Sequence, residues 1–327
     1  MRTVMIASFL WILNSCHVAQ DLPHLVTAVP FGLPAEMNEP EESRPDPARI
    51  ALGRRLFFDP ILSRTREISC ASCHDPKHGW SSPDARSRGV EGRITTRHSP
   101  TLLNRAYGRR FMWDGRASSL EEQVLQPIEN PLEMDLSLAE ALDRLQADED
   151  YVRAFQGAWS EAPTQDRLAR SLAIFVRRIQ IGNSPIDRFR SGVFEKPLTP
   201  AARTGPWIYE SKGRCWQCHT GSNFSDEDFH NTGVGVLDDK AEKGRMDVTQ
   251  DERDRGRFKT PTLRGLSFTA PYMHDGSLPT LRAVVDFYRA GGGDNPNLDR
   301  KMQPIELSDR EAEGLVAFLE ALSREAP

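Results

Sequence analysis

Two short stretches hold the residues best suited to chemistry: Cys70-Ala71-Ser72-Cys73-His74 and Cys215-Trp216-Gln217-Cys218-His219, each reading Cys-x-x-Cys-His. Thiols three positions apart can add to the two vinyl groups of one porphyrin, and the histidine that follows then stands under the iron as an axial ligand. The pattern predicts two covalently bound haem c groups on Cys70, Cys73, Cys215 and Cys218, with His74 and His219 as ligands to the irons. Other uses of paired cysteines fit worse. A structural zinc site brings its second ligand pair within roughly twenty residues, whereas about 140 separate these pairs. A thioredoxin-like dithiol has no need of the histidine.

These motifs need a scaffold. A chain of 327 residues with one motif in each half suggests two domains, each built around its own haem. A net charge of −5 without a long run of like charge argues against nucleic-acid binding, which wants a basic face. With 27% charged and 38% hydrophobic residues the composition is that of a soluble globular protein. No apolar run reaches the eighteen or so residues needed to span a bilayer. Four of the five cysteines belong to the motifs, so no disulfide is expected. The fifth, Cys16, ends a leader in which Arg2 precedes the apolar run Val4 to Leu13; residues 1–20 read as an export signal and predict a periplasmic protein. Leu13-Asn14-Ser15-Cys16 also resembles a lipobox, which would lipidate Cys16 and give the chain its membrane contact; the alternative is cleavage near Ala19.

Residues 21–47 are proline-rich and read as an extended tether or surface arm. Pro47 opens a helix through Ile50, Leu52, Leu56 and Phe57, which Asp59-Pro60 ends. Residues 75–98, rich in Gly, Ser, Arg and Asp, read as a long loop beside the first haem. Capping boxes at Ser119 with Glu122, Ser137 with Glu140 and Ser308 with Glu311 mark helix starts. Leu168, Leu172, Phe175 and Ile179 form a helical stripe, broken by Gly182-Asn183-Ser184-Pro185. The break divides a first haem domain, 48–185, from a second, 186–327. Thr199-Pro200 begins the helix leading to the second motif, and Thr280 to Ala290, closed by Gly291, forms another. No strand pattern and no repeat of 20 to 50 residues stands out, so the fold class is mainly α.

The order of further motifs carries a resemblance. Trp113-Asp114-Gly115-Arg116, Gln123 to Met134, Phe258-Lys259-Thr260-Pro261-Thr262-Leu263-Arg264 and Ala270-Pro271-Tyr272-Met273-His274-Asp275-Gly276, placed around the two haem motifs, resemble the bacterial di-haem cytochrome c peroxidase and MauG family. Within it the chain looks most like MauG, over residues 45–325. The resemblance implies two cytochrome c-like helical domains. Peroxide would react at the first haem, with His74 as proximal ligand, and the second haem would transfer or store electrons. Many relatives close the first iron with a histidine about sixteen residues past the motif; here that place is Val90, so the iron face is expected to stay open. His78 and His98 are the nearby histidines, both read as solvated loop residues.

By the same resemblance Gln123 and Glu133 match a distal glutamine and glutamate, Pro127 a proline over the open iron, and Trp113 a tryptophan between the haems. Breaking O–O heterolytically requires a proton to move from the inner to the outer oxygen, which Glu133 is suited to carry. The second haem's far ligand is a methionine fourteen residues past the histidine of His-Asp-Gly in ordinary members and a tyrosine in MauG. That register gives Tyr288, with Met302 as the alternative. The family's calcium site lies between the domains, but its asparagine position carries His98, a poor calcium ligand, leaving the carbonyls of Thr269 and Pro271.

The expected activity is that of a MauG-like peroxidase. Hydrogen peroxide would generate a two-electron oxidised state shared by both haems, which then oxidises a partner protein, as in maturation of a tryptophan-derived quinone. The alternatives are a cytochrome c peroxidase drawing electrons from a small redox protein, favoured if Met302 or Met273 is a ligand, and a non-enzymatic di-haem electron carrier with both irons closed.

Overall fold

The computed structural model describes residues 24–192, 198–237 and 240–323, so the leader, with Cys16 and the lipobox, lies outside the described residues. Among the described residues twelve α-helices follow in chain order: α1 (Pro47–Phe58), α2 (Cys70–Cys73), α3 (Leu120–Gln123), α4 (Gln126–Glu129), α5 (Leu138–Ala147), α6 (Glu149–Trp159), α7 (Gln165–Arg177), α8 (Pro185–Arg190), α9 (Pro200–Glu210), α10 (Met246–Thr249), α11 (Leu281–Arg289) and α12 (Asp309–Glu320). Strands are limited to two-residue pairs: β1 (Phe229–His230) with β4 (Phe258–Lys259), and β2 (Val236–Leu237) with β3 (Lys240–Ala241), each antiparallel. The fold is mainly helical, as its composition and capping signals require. No helix among the described residues is long and apolar enough to cross a membrane.

Each half is built on a helix pair that crosses at glycine. In α1, begun by Pro47 and capped by Asp46 Oδ1 accepting from Ala48 and Arg49 N–H, a Cβ on Gly53 would stand 2.0 Å from the Ser171 carbonyl of α7. In α9, a Cβ on Gly205 would stand 2.1 Å from Phe318 Cβ of α12. Only glycine permits either approach. Around the first pair gather Leu56, Phe57, Trp80 and Phe175, and around the second Ile208, Tyr209, Phe224 and Phe318, all buried. The chain passes from one core to the other between Ile181 and Ile186. There Arg264, 1% exposed, grips both carboxylate oxygens of Asp187 at 2.7 and 2.8 Å and also donates to the Gly32 carbonyl.

Several local expectations are refined. The capping box at Ser308 closes in both directions. At Ser119 and Ser137 the hydroxyl caps the helix, but Glu122 accepts from the Ser118 N–H and hydroxyl and Glu140 from the Arg144 guanidinium. The proline-rich arm does not hang free: Val26 N–H donates to the Arg178 carbonyl, Asn183 N–H to Phe31 and Asn38 N–H to Ala106. Residues 75–98 form a loop, as expected, folded into short turns and the bridges Asp75 to Ser81 and Arg88 to Ile94. His98 is accordingly buried, 4% exposed, which corrects its reading as solvated. Its Nδ1 donates to the Asp84 carbonyl and its Nε2 shares a hydrogen bond with Ser81 Oγ. His78 is partly exposed and paired with Asp75.

A long-period repeat joins the halves. Pro100-Thr101-Leu102 and Phe111-Met112-Trp113-Asp114-Gly115 recur 161 positions later as Pro261-Thr262-Leu263 and Tyr272-Met273-His274-Asp275-Gly276. The backbone repeats too: Met112 and Met273 have φ of 64° and 74°, and the bridges Phe111 to Ala117 and Tyr272 to Leu278 correspond. Ser119 and Thr280 then cap α3 and α11.

Candidate active site

Both haem motifs end in the same arrangement. His74 Nδ1 lies 3.2 Å from the Trp80 carbonyl and His219 Nδ1 lies 3.0 Å from the Phe224 carbonyl. A carbonyl only accepts, so Nδ1 carries the proton and Nε2 keeps its lone pair. That is the tautomer an iron ligand requires. Burial pushes both imidazoles down to about 4, against the pull of those carbonyls, so both are neutral at pH 7. None of the four motif cysteines is in a disulfide, which leaves all four for haem attachment. Burial raises Cys70 and Cys215 to about 12 and Cys73 to about 11. Thiol pairs, a neutral imidazole with a free Nε2, and a cavity beside each motif together fit haem c.

The first cavity, about 140 Å³, is lined by His74, Trp113, Gln123, Pro127 and Glu133, so the structure brings together the residues expected around the first haem. Residues 130–134 carry Glu133 into it. Asn130 Nδ2 donates to Glu133 Oε1 at 2.6 Å, and Val90 N–H donates to the Glu133 carbonyl at 2.8 Å. Val90, where a distal histidine would stand, thus serves the glutamate by its backbone. Gly89 makes this approach possible, since a Cβ there would stand 2.2 Å from the Leu132 carbonyl. Burial holds the Glu133 carboxyl above its ordinary value, with Asn130 opposing. Gln123 Nε2 lies 3.9 Å from Met112 Sδ, and Pro127, in the first turn of α4, offers the cavity no donor. Among the lining residues not anticipated in the site are Met112 and Arg116; Arg116 bonds Asp114 and Gln126. The motif Trp113-Asp114-Gly115-Arg116 was the signal for Arg116, and Met112 stands just before it.

The second cavity, about 230 Å³, is lined by Cys215, Cys218 and His219, with both Tyr288 and Met302 on its wall. Tyr288 projects from α11, and burial, with the two cysteines, raises its phenol above the ordinary value. Its register is informative: Pro127 and Tyr288 stand 161 positions apart, so the tyrosine occupies in the second half the place that proline holds in the first. Trp113 lines both cavities, its Nε1–H donating to the His98 carbonyl at 2.8 Å. Thr269 and Pro271 also line the second cavity. With the His98 ring committed to Asp84 and Ser81, the expected calcium position gains no oxygen donor from it.

Comparison with known proteins follows the same lines. The family model for di-haem cytochrome c peroxidase matches residues 47–194. Methylamine utilization protein MauG of Methylorubrum extorquens is 40% identical over 297 residues, which cover 90% of this chain and 84% of that protein. Cytochrome-c peroxidase IdrP1 of a Pseudomonas species, strain SCT, is 33% identical over 88% of this chain and 84% of its own length. Among solved structures, a MauG-like protein associated with microbial copper homeostasis superposes with a TM-score of 0.80 at 30% identity, covering 94% of this chain and 95% of that one. With identity of that depth over most of its length and a Cys-x-x-Cys-His cavity in each half, the chain belongs to the di-haem cytochrome c peroxidase family of haem-dependent oxidoreductases.

Proposed function

We propose that this peroxidase works in the MauG manner: hydrogen peroxide is used at the first cavity, and the oxidising equivalents are spent on a partner protein recognised at its surface. The observation that carries the proposal is Tyr288, which lines the second cavity fourteen residues after His274 and at the register of Pro127. Family membership brings two c-type haems, which we assign to Cys70 with Cys73 and to Cys215 with Cys218. When bound, these groups supply the redox chemistry, storing and passing the electrons removed from the partner.

The side chains supply the rest. Peroxide would enter the first cavity, where Pro127 presents a wall without a hydrogen-bond donor or a metal ligand. Gln123 orients the peroxide by its amide. Glu133 would take a proton from one peroxide oxygen and hand it to the other, while the haem, when bound, would supply the two electrons that break the O–O bond. The bond from Asn130 ties down Oε1 and leaves Oε2 for that transfer. A buried carboxylate suits the task, because its raised affinity for the proton brings it nearer the working pH. The Trp80 carbonyl holds His74 by Nδ1 and leaves Nε2 free, the atom that would ligate the haem iron. Trp113, which lines both cavities, serves as the relay between haems. The apolar leader at 1–20 supports a periplasmic setting.

A second reading is supported by Met302, which shares the wall with Tyr288. Methionine there would make the chain a cytochrome c peroxidase supplied by a small redox protein. Electron paramagnetic resonance of the ferric protein separates the readings. One high-spin and one low-spin haem are expected, and Tyr288→Phe should alter the low-spin signal. If Met302→Leu alone abolishes that signal while Tyr288→Phe leaves it intact, the MauG-like reading fails. Two low-spin haems would instead favour the electron carrier.

A further inference from the structure

Contacts across the junction obey a two-fold rule. His98 N–H donates to the His274 carbonyl and Lys259 N–H to the Trp113 carbonyl, both at 2.8 Å. Lys259 stands 161 positions after His98, and His274 stands 161 positions after Trp113. An isologous interface behaves this way: where i touches j, the counterpart of j touches the counterpart of i. Residues that touch their own counterparts then lie on the axis. Two pairs do so. The Arg97 guanidinium sits 5.1 Å from the centroid of Phe258, and the Trp113 ring meets His274 edge to face with centroids 6.2 Å apart.

The axis therefore passes through a pair of rings, and it does so between the cavities. Trp113 lines both cavities and His274 lines the second. His274 is 4% exposed and stacks on Phe258 at 3.6 Å and 17°, which fixes the plane of its ring. Glu242 Oε2 stands 3.2 Å from His274 Nε2, an ion-pair distance without the alignment of a hydrogen bond. Glu242 is in turn held by Arg97 Nε at 2.6 Å. Nothing in the family resemblance or in the cavity geometry of Trp113 alone accounts for so well-fixed a second ring.

We propose that the relay between the haems is the pair Trp113 with His274, in which His274 is a positioning residue whose ring extends Trp113 towards the second haem. The proposal rests on the reading of Trp113 as relay. In each crossing one electron leaves the second haem and one arrives at the first. Both rings end as they began, and no proton moves. The Trp113 Nε1–H stays on the His98 carbonyl, which is no base at neutral pH.

The test uses the di-haem protein in its half-reduced form with carbon monoxide on the first haem. Flash photolysis starts redistribution of the electron between the haems, and absorbance at the second haem follows it. His274→Leu removes the ring and should slow redistribution roughly tenfold to a hundredfold, the scale on which mispositioned groups lose rate. His274→Phe keeps a ring and should restore a rate near the parent's. The low-spin resonance signal and both midpoint potentials should stay unchanged in both variants. A parent-like rate in His274→Leu, with Trp113→Phe slowed, overturns the pair and leaves Trp113 as sole relay. A parent-like rate in Trp113→Phe overturns the underlying reading, and the pair with it. Equal slowing in His274→Leu and His274→Phe, with a displaced low-spin signal, overturns the proposal by showing that His274 acts on the second haem's ligand field. Should His274→Leu not yield a di-haem protein, His274→Gln against His274→Phe makes the same comparison of ring removed with ring kept.

Discussion

At the same register, the half carrying the first haem has Pro127, Trp113 and Leu103, and the half carrying the second has Tyr288, His274 and Arg264. Both halves otherwise share one design, with a glycine-crossed helix pair, a histidine whose Nδ1 is spent on a carbonyl, and a capped helix over the haem cavity. The differences fall where each half meets the iron, its partner half, or the junction. Proline brings its cavity no hydrogen-bond donor and no metal ligand, whereas tyrosine brings its cavity an oxygen that could be one. On the reading proposed above, the two halves would differ in the residue at this one register and agree in the histidine of the haem motif.

The largest expected effect breaks the chemistry of the first site and leaves the second alone. Glu133→Gln keeps the shape and the bond from Asn130 but cannot carry the proton. The second-order rate with peroxide should fall about 10²- to 10⁴-fold, the usual contribution of a positioned acid–base group, with the ferric spectrum barely changed. Stopped-flow mixing decides, and a rate within about threefold of the parent would return the proton transfer to another group.

The next effect is on stability and tests the junction. Leu103 is wholly buried in one half, and its counterpart Arg264 is buried in the other against Asp187. Arg264→Met strands the Asp187 carboxylate and should cost about 3–5 kcal/mol in urea unfolding, as breaking a buried pair does. Burial pushes Asp187 upward, but Arg264 outweighs it and leaves the carboxyl below its usual value. Its contribution is therefore present above the unfolded pKa and fades as pH falls through the folded one. In Arg264→Met that acid-side loss should disappear from the pH profile of stability.

A smaller effect concerns pH and peroxide. Burial holds Glu133 protonated to a higher pH than an exposed glutamate, and only the carboxylate takes up a proton. The rate with peroxide should therefore rise with pH through an inflection above the ordinary carboxylate range. Glu133→Gln should flatten that limb, and a profile of unchanged shape would detach the inflection from Glu133. The smallest effect sharpens the local comparison of caps. Ser308→Ala breaks the one of the three expected boxes that closes in both directions, and should lower stability by about 1 kcal/mol. Ser137→Ala removes only the hydroxyl bond and should cost less, as thermal unfolding of the pair will show.

The amino-acid sequence was enough for the parts of this protein that depend on near neighbours. Cysteines three apart with a following histidine define a haem attachment whatever surrounds them, and Asp46-Pro47 or Ser308 with Glu311 starts a helix by satisfying its own first N–H groups. The motif order placed Glu133, Gln123, Pro127 and Trp113 around one haem, and they do line one cavity. Tertiary structure decided the rest, because it depends on what distant segments press together. His98 looks like any loop histidine until Ser81 and Asp84 enclose it. The proline-rich arm looks like a tether until the carbonyl of Arg178 and the side chain of Arg264 engage it. The repeat at 161 positions was visible as two copies of Pro-Thr-Leu and Asp-Gly, but short words carry little weight until backbone angles and bridges coincide. The meeting of Trp113 with His274 could not be read from either copy, since a two-fold axis exists only once both halves are folded against each other.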